Sequence, residues 1–291
     1  MRLVTVKEDG YSHPGVLTDS RWIASLERWG HSSVENLIRS GPAAWAEVER
    51  EASGSDGDWP PDQPLRAPIT RPPRNMFCVG LNYVTHYDEG DRSGVAMPDR
   101  PVFFSKPFTT LIGPYDDLVI DREATQKADW EAELAVVIGT GGVNIDESAA
   151  LDHVFGYTLA NDVSARDLQL GNGPFSQWHK GKSLDGFCPL GPHLVTVPAV
   201  GDLADLRIEL TVNGTVKQDF RPNEMFHPIP KLISYLSKGM ALLPGDVILT
   251  GTAAGVGHWH RPPEFLHGGD VVEIRCSALG TMRNQVVERG G

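Results

Sequence analysis

Cysteine is scarce: Cys78, Cys188 and Cys276 are the only three in 291 residues. An odd number without a CxxC spacing excludes a disulfide framework and a cysteine-built zinc site, and fits a reducing cytoplasm. Long apolar runs are missing too. No stretch of about 18 apolar residues exists, and Arg2, Lys7, Glu8 and Asp9 interrupt the start, so neither a membrane span nor a signal peptide is expected. Positive charge is in deficit. With 26 basic against 38 acidic residues the formal charge is -12, the wrong sign for neutralising nucleic acid or anionic lipid, and neither is expected as a partner. Three catalytic signatures also fail. Gly181-Lys182-Ser183 ends like a phosphate-binding loop, but Ser176 stands where its first glycine is required. The same stretch lacks the second glycine of a nucleophile elbow, and no His-Glu-x-x-His occurs.

What is present is glycine and proline, 31 and 22 of them, which favours short strands and tight turns over a helical bundle. β-favouring runs are expected at Leu3 to Val6, Met76 to Val79, Val102 to Ser105, Leu118 to Ile120, Glu133 to Ile138 and Phe155 to Asn161. They continue at His193 to Val197, Leu206 to Val212, Val247 to Thr250 and Val271 to Cys276. Helices are expected at Ser33 to Arg39, at Pro42 to Glu51 and at Ile229 to Lys238, where Ile229, Leu232, Ile233 and Leu236 share one face and Gly239 can close the end. Between Ser53 and Arg74 a segment rich in Gly, Pro and Asp reads as a linker. The expectation is a β-rich α+β chain with a small N-terminal α+β domain and linker at 1–73 and a larger domain at 74–291.

Asp129 to Ile138 reads as a strand apolar on both faces after an acidic start, so it should run through the interior with Glu131 and Glu133 pointing the same way. Cα atoms two residues apart lie roughly 6.6 Å from each other, where two carboxylates repel by about 2.5 kcal/mol at an effective dielectric of 20. Such a pair at a strand end is ordinarily solvated; buried, it needs a cation. Asp162, ending the apolar run from Phe155, supplies a third oxygen ligand, and such a donor set suits Mg²⁺ or Mn²⁺, with Ca²⁺ less suited. His86 and Glu89, three apart, can touch, and a carboxylate there would orient the imidazole as a general base, although such pairs also occur as plain surface contacts. Lys182 alone reads as an ordinary solvated charge. His258, His260 and His267 allow a weaker zinc reading.

Cys78-Val79-Gly80-Leu81-Asn82-Tyr83 with His86 and Glu89, Phe104 to Pro107, Glu131 to Gly139, Gly156 to Gln169, Lys182 to Pro192 and Leu249 to Thr252 together resemble the fumarylacetoacetate hydrolase family. Matching blocks run in the family's order from about residue 75 to 287. The resemblance implies a C-terminal domain of mixed sheets rolled into a β-sandwich or barrel, usually a homodimer, with a divalent metal on Glu131, Glu133 and Asp162. It places His86 and Glu89 on a lid and turns Lys182, Arg166, Gln169 and Thr252 towards substrate; Lys106 is expected to help them form a local positive pocket. The chain departs from the family at Ala253, where proline is usual, and at His258-Trp259-His260, which adds bulk to that loop. The chemistry implied is C-C bond hydrolysis of a 2,4-dioxo acid, an acylpyruvate or a fumarylacetoacetate-like substrate, through an enolate that the metal stabilises, with His86 activating water and Lys182 stabilising the oxyanion. Oxaloacetate decarboxylation or keto-enol isomerisation of an oxo-diacid would use the same groups, and a non-catalytic 2-oxo acid or metal binding protein is the alternative of another class.

Overall fold

The computed structural model describes residues 1–90, 96–171 and 176–290. The strands Ala132–Ile138 and Val154–Asn161 pair antiparallel at the centre of a large sheet, and both are buried along their whole length. That is why their sequences are apolar on both faces. Cys188–Thr196, Arg2–Glu8, Tyr11–Leu17 and Ile23–Ser25 extend the sheet one way; Val247–Leu249, Met76–Gly80 and Val102–Lys106 extend it the other. The pairing is antiparallel along this path except between Val247–Leu249 and Met76–Gly80. The sheet has two ends and does not close into a barrel.

The two faces of this sheet carry different covers. Leu134, Val136 and Ile138 pack in a core shared with a second sheet of Thr215–Phe220, Ile208–Val212, Val271–Cys276, Gly280–Arg289 and Leu118–Asp121. Ala135 and Val137, on the alternate face, pack with Leu37, Ile38 and Val48 from the helices Val34–Ser40 and Pro42–Ser53. Residues 1–73 thus add strands to the large sheet and cover one of its faces. The Ser33 side chain caps the first of these helices by accepting from the Asn36 N–H at 2.9 Å.

The expected strands are present with ends shifted by a few residues, and the expected helix at Ile229 occupies Ile229–Leu236. Tyr11–Leu17, Thr215–Phe220 and Gly280–Arg289 were not anticipated. Pro14 argues against a strand by sequence, yet the structure tolerates it because the neighbouring strand Ile23–Ser25 pairs only with residues 15 to 17.

Candidate active site

Glu131 and Asp162 leave two neighbouring strand ends joined by a backbone bond, the Asp162 N–H donating to the Glu131 carbonyl at 2.9 Å. The Asn161 side chain accepts from the Glu131 N–H at 3.0 Å, and Gln218 accepts from the Ala132 N–H at 2.8 Å, so the chain around Glu131 is fixed on both sides. Glu133 accepts from the Gly251 N–H at 2.7 Å. Glycine is required at 251: its φ is +95°, and a Cβ there would stand 2.9 Å from the Cβ of Asn82. One carboxylate oxygen from each of Glu131, Glu133 and Asp162 lies within 4.8 Å of the others, and all three residues are buried.

Cations interleave with these acids. Lys182 Nζ lies 2.7 Å from Glu131 Oε2 and 2.8 Å from Asp162 Oδ2. Arg166 spans two acids, with Nε 2.8 Å from Asp129 Oδ2 and Nη2 2.7 Å from Glu131 Oε1, while its Nη1 donates to Gln169 at 3.0 Å. Burial opposes ionisation of Glu131, but Lys182 and Arg166 overcome it and hold its carboxyl well below the usual carboxylate range. Burial likewise opposes the Lys182 charge, and Asp162 and Glu131 outweigh it, so the ammonium is retained above its ordinary pKa. Glu133 fares differently: burial, then Asp162 and Glu131, push its carboxyl well up.

Four buried acids, Asp129, Glu131, Glu133 and Asp162, therefore face three buried cations, Lys106, Arg166 and Lys182. The uncompensated acid, Glu133, belongs to the set of three converging oxygen donors. Hard oxygen donors with a deficit of positive charge fit a divalent metal ion, and no thiolate or imidazole enters the group.

A small cavity of about 60 Å³ opens beside this cluster, lined by His86, Phe104, Glu131, Arg166, Gln169, Trp178, Lys182, Thr252, His258 and Trp259 among others. His86 sits on the short helix Val84–Glu89, its Nδ1 3.0 Å from Glu89 Oε2. Glu89 Oε1 also accepts from the Gly255 N–H at 2.5 Å, so the carboxylate is braced from the facing loop. Asn82, fully buried, precedes this helix and clasps two other segments: its Nδ2 donates to the carbonyls of Thr250 and His227, and its Oδ1 accepts from the His227 N–H. Lys182 ends the helix Trp178–Lys182, which crosses Arg166–Leu170 so closely that a Cβ at Gly181 would stand 2.5 Å from the Gln169 Cβ.

The expected site residues therefore gather in one place, with differences in position. His86, Arg166, Gln169, Lys182, Thr252 and Glu131 line the cavity; Glu89 stands behind His86. Lys106 does not line it. Its side chain is fully buried beneath Asp162, 2.8 Å from Oδ1, and donates to the Val163 carbonyl at 3.0 Å, so it neutralises a candidate ligand from below. Thr252 turns its hydroxyl to the Ala132 carbonyl and receives a bond from Gln218. Of the three histidines considered for zinc, His258 lines the cavity, His260 meets Glu264 at 3.4 Å and His267 is exposed near Glu288. Asp129 was overlooked as a site residue: fully buried, it accepts from the Gly257 and His258 N–H groups at 2.8 and 3.0 Å as well as from Arg166. Its buried position after Ala128 and opposite Ser164 is a product of strand pairing, which the acidic run alone does not convey.

The family described as fumarylacetoacetate (FAA) hydrolase, C-terminal, matches residues 75–287. An oxaloacetate tautomerase of Bacillus subtilis (strain 168), YisK, is 42% identical over 244 residues, covering 84% of this chain and 80% of its own length. The mitochondrial oxaloacetate tautomerase FAHD2A of Bos taurus is 47% identical over 222 residues, 76% of this chain and 68% of its own. Among solved structures, a fumarylacetoacetate hydrolase from Exiguobacterium antarcticum is 37% identical with a TM-score of 0.81, covering 99% of this chain and 100% of its own. A maleylpyruvate hydrolase from Sphingobium sp. SYK-6, solved with manganese(II) and pyruvate, is 28% identical over the whole of both chains with a TM-score of 0.80. The sheet scaffold agrees with these likenesses, and the chain belongs to the fumarylacetoacetate hydrolase family of enzymes.

Proposed function

We propose that this enzyme interconverts the keto and enol forms of oxaloacetate, with Glu131, Glu133 and Asp162 holding Mg²⁺, or Mn²⁺ in its place. The observation that carries the reading is the His86–Glu89 dyad set beside a buried acid cluster at one small cavity of about 60 Å³. Two relatives are named oxaloacetate tautomerases, which supports the same choice. A dication held by the triad would supply a Lewis acid for the keto group and so favour loss of a C3 proton. His86, its Nδ1 engaged by Glu89, presents Nε2 to take that proton; a proton returned to the keto oxygen completes the enol, and no bond between carbons breaks. Lys182 and Arg166 keep Glu131 ionised and fixed, so the charge around the reacting carbons is set before substrate arrives.

Hydrolysis of an acylpyruvate C-C bond is the second reading, favoured by the maleylpyruvate hydrolase likeness; there the same imidazole would deprotonate a water. One panel separates them. The loss of enol absorbance from fresh oxaloacetate, pyruvate release from oxaloacetate and pyruvate release from acetylpyruvate are measured with and without Mg²⁺. Metal-dependent acceleration of the first alone supports the tautomerase, and enol decay no faster than in buffer rejects it. His86→Ala should lower the responsible turnover by about 10² to 10⁴ with metal still bound; unchanged turnover removes His86 from the base role.

Residues 74–291 are taken as the catalytic domain and 1–73 as an appended unit, since every residue lining the cavity lies at or after Val79. Three buried free thiols support a reducing compartment such as the cytoplasm, and among the described residues no helix is long and apolar enough to cross a membrane. A homodimer is the expected assembly, to be checked by light scattering.

A further inference from the structure

We propose that His258 reads the second carboxylate of the oxo-diacid, and so sets the preference of this enzyme for dicarboxylate over monocarboxylate substrates. The inference rests on the tautomerase reading and deepens it. His258 lines the cavity, and among the described residues neither of its ring nitrogens has a hydrogen-bond partner; Nδ1 is sealed from water as well. A polar ring held beside a cavity without a partner is costly unless something that enters the cavity supplies one.

The ring is held in place. Asp129 accepts from the N–H groups of Gly257 and His258, Glu89 accepts from that of Gly255, and the imidazole meets Trp259 edge-on with ring centroids 4.5 Å apart. The Arg166 guanidinium lies between the triad and this loop, its Nη2 on Glu131 and its Nε on Asp129. A substrate whose 2-oxo end sits at the triad therefore extends its far end towards His258. Arg166 and Lys182 are drawn to the triad end, their charges shared among Asp129, Glu131 and Asp162. Gln169 gives its carbonyl to Arg166 and can offer only an uncharged amide, and His86 is engaged by Glu89. Among the cavity-lining groups not already committed, His258 is the one that can add a proton to its hydrogen bond. Burial, and then Arg166, lower its pKa in the ligand-free protein, so a carboxylate meets a neutral ring whose N–H donor is otherwise unused.

The test uses the Mg²⁺-loaded protein and two unreactive probes, malate and lactate, which share the 2-hydroxy acid end and differ in the second carboxylate. Binding is measured by calorimetry for wild type, His258→Ala and His258→Asn, and KM and kcat are measured with oxaloacetate. The expected result is that wild type prefers malate, that His258→Ala loses roughly ten- to a hundred-fold in malate affinity with lactate unchanged, and that KM rises while kcat stays within about three-fold. His258→Asn, which keeps an N–H donor near the position of Nδ1, should recover part of the preference. Equal losses for both probes, or a malate preference intact in His258→Ala, overturn the inference while leaving the tautomerase reading standing. A wild type that binds malate no better than lactate overturns the inference as well, whereas enol decay no faster than in buffer is the result that would remove the tautomerase reading.

Discussion

The charged floor of the site and the apolar face beneath residues 1–73 are built partly on one strand, Ala132–Ile138, and they solve opposite problems. Ala135 and Val137 meet Leu37, Ile38 and Val48 with nothing to satisfy but volume. At the other end Arg166 and Lys182 neutralise Glu131, just before the strand, and Lys106 neutralises Asp162, while Glu133 is left without an ion-pair partner among the described residues. Apolar burial stabilises in proportion to area, whereas a buried ion network returns little net stability for its desolvation and instead fixes geometry. Stability lost on the face under residues 1–73 should therefore be indifferent to metal, whereas stability lost on the floor should depend on what the floor binds.

Four substitutions test that division and its surroundings. Lys106→Met removes one partner of a fully buried pair and should destabilise the metal-free protein by about 3–5 kcal/mol, with Mg²⁺ restoring more stability than it adds to wild type because the dication supplies lost positive charge. Denaturant melts with and without metal check this, and an equal metal increment in both proteins would contradict it. Glu131→Gln alongside should show almost no metal increment. Leu37→Ala, fully buried in the other region, should cost about 2–5 kcal/mol, with kcat and the metal increment both unchanged; a metal-dependent rescue would erase the contrast drawn above. The smallest effect at neutral pH is expected for His193 on the strand Cys188–Thr196, whose imidazole burial and then Arg2 push down to about 4. Below the ordinary histidine pKa of about 6.5 the unfolded chain takes up a proton that the folded one refuses, so stability falls from pH 6.5 towards 4. His193→Asn should flatten that limb of the curve and leave pH 7 to 8 unchanged by pH.

Much of this was legible in the order of residues. The central strands announce themselves because both faces are buried and both must be apolar, Glu131, Glu133 and Asp162 stand out because acids at the ends of such strands need a reason to be there, and His86 and Glu89 stand out by their spacing of three. Gly280–Arg289 was hidden by its exposed polar alternation, with Arg283 and Gln285 beside Met282 and Val286. Lys106 was misplaced for a different reason. A lysine next to Pro107 gives no sign of whether it reaches the cavity or passes beneath it, and only the packing of Val102–Lys106 against Met76–Gly80 turns it under Asp162. The link from Asp129 to His258 joins residues 129 apart and leaves no local trace.

Asn82 sets how the imidazole base can travel. Its side chain is tied to Thr250, one residue before the glycine that holds Glu133, so the segment entering the Val84–Glu89 helix is anchored to the same loop as the acid cluster. Any swing of His86 must then pivot beyond Tyr83, on a lever of three residues or about 4.5 Å. Opening for substrate would be a short rotation about a fixed post, and the base would return to one register each time it closed.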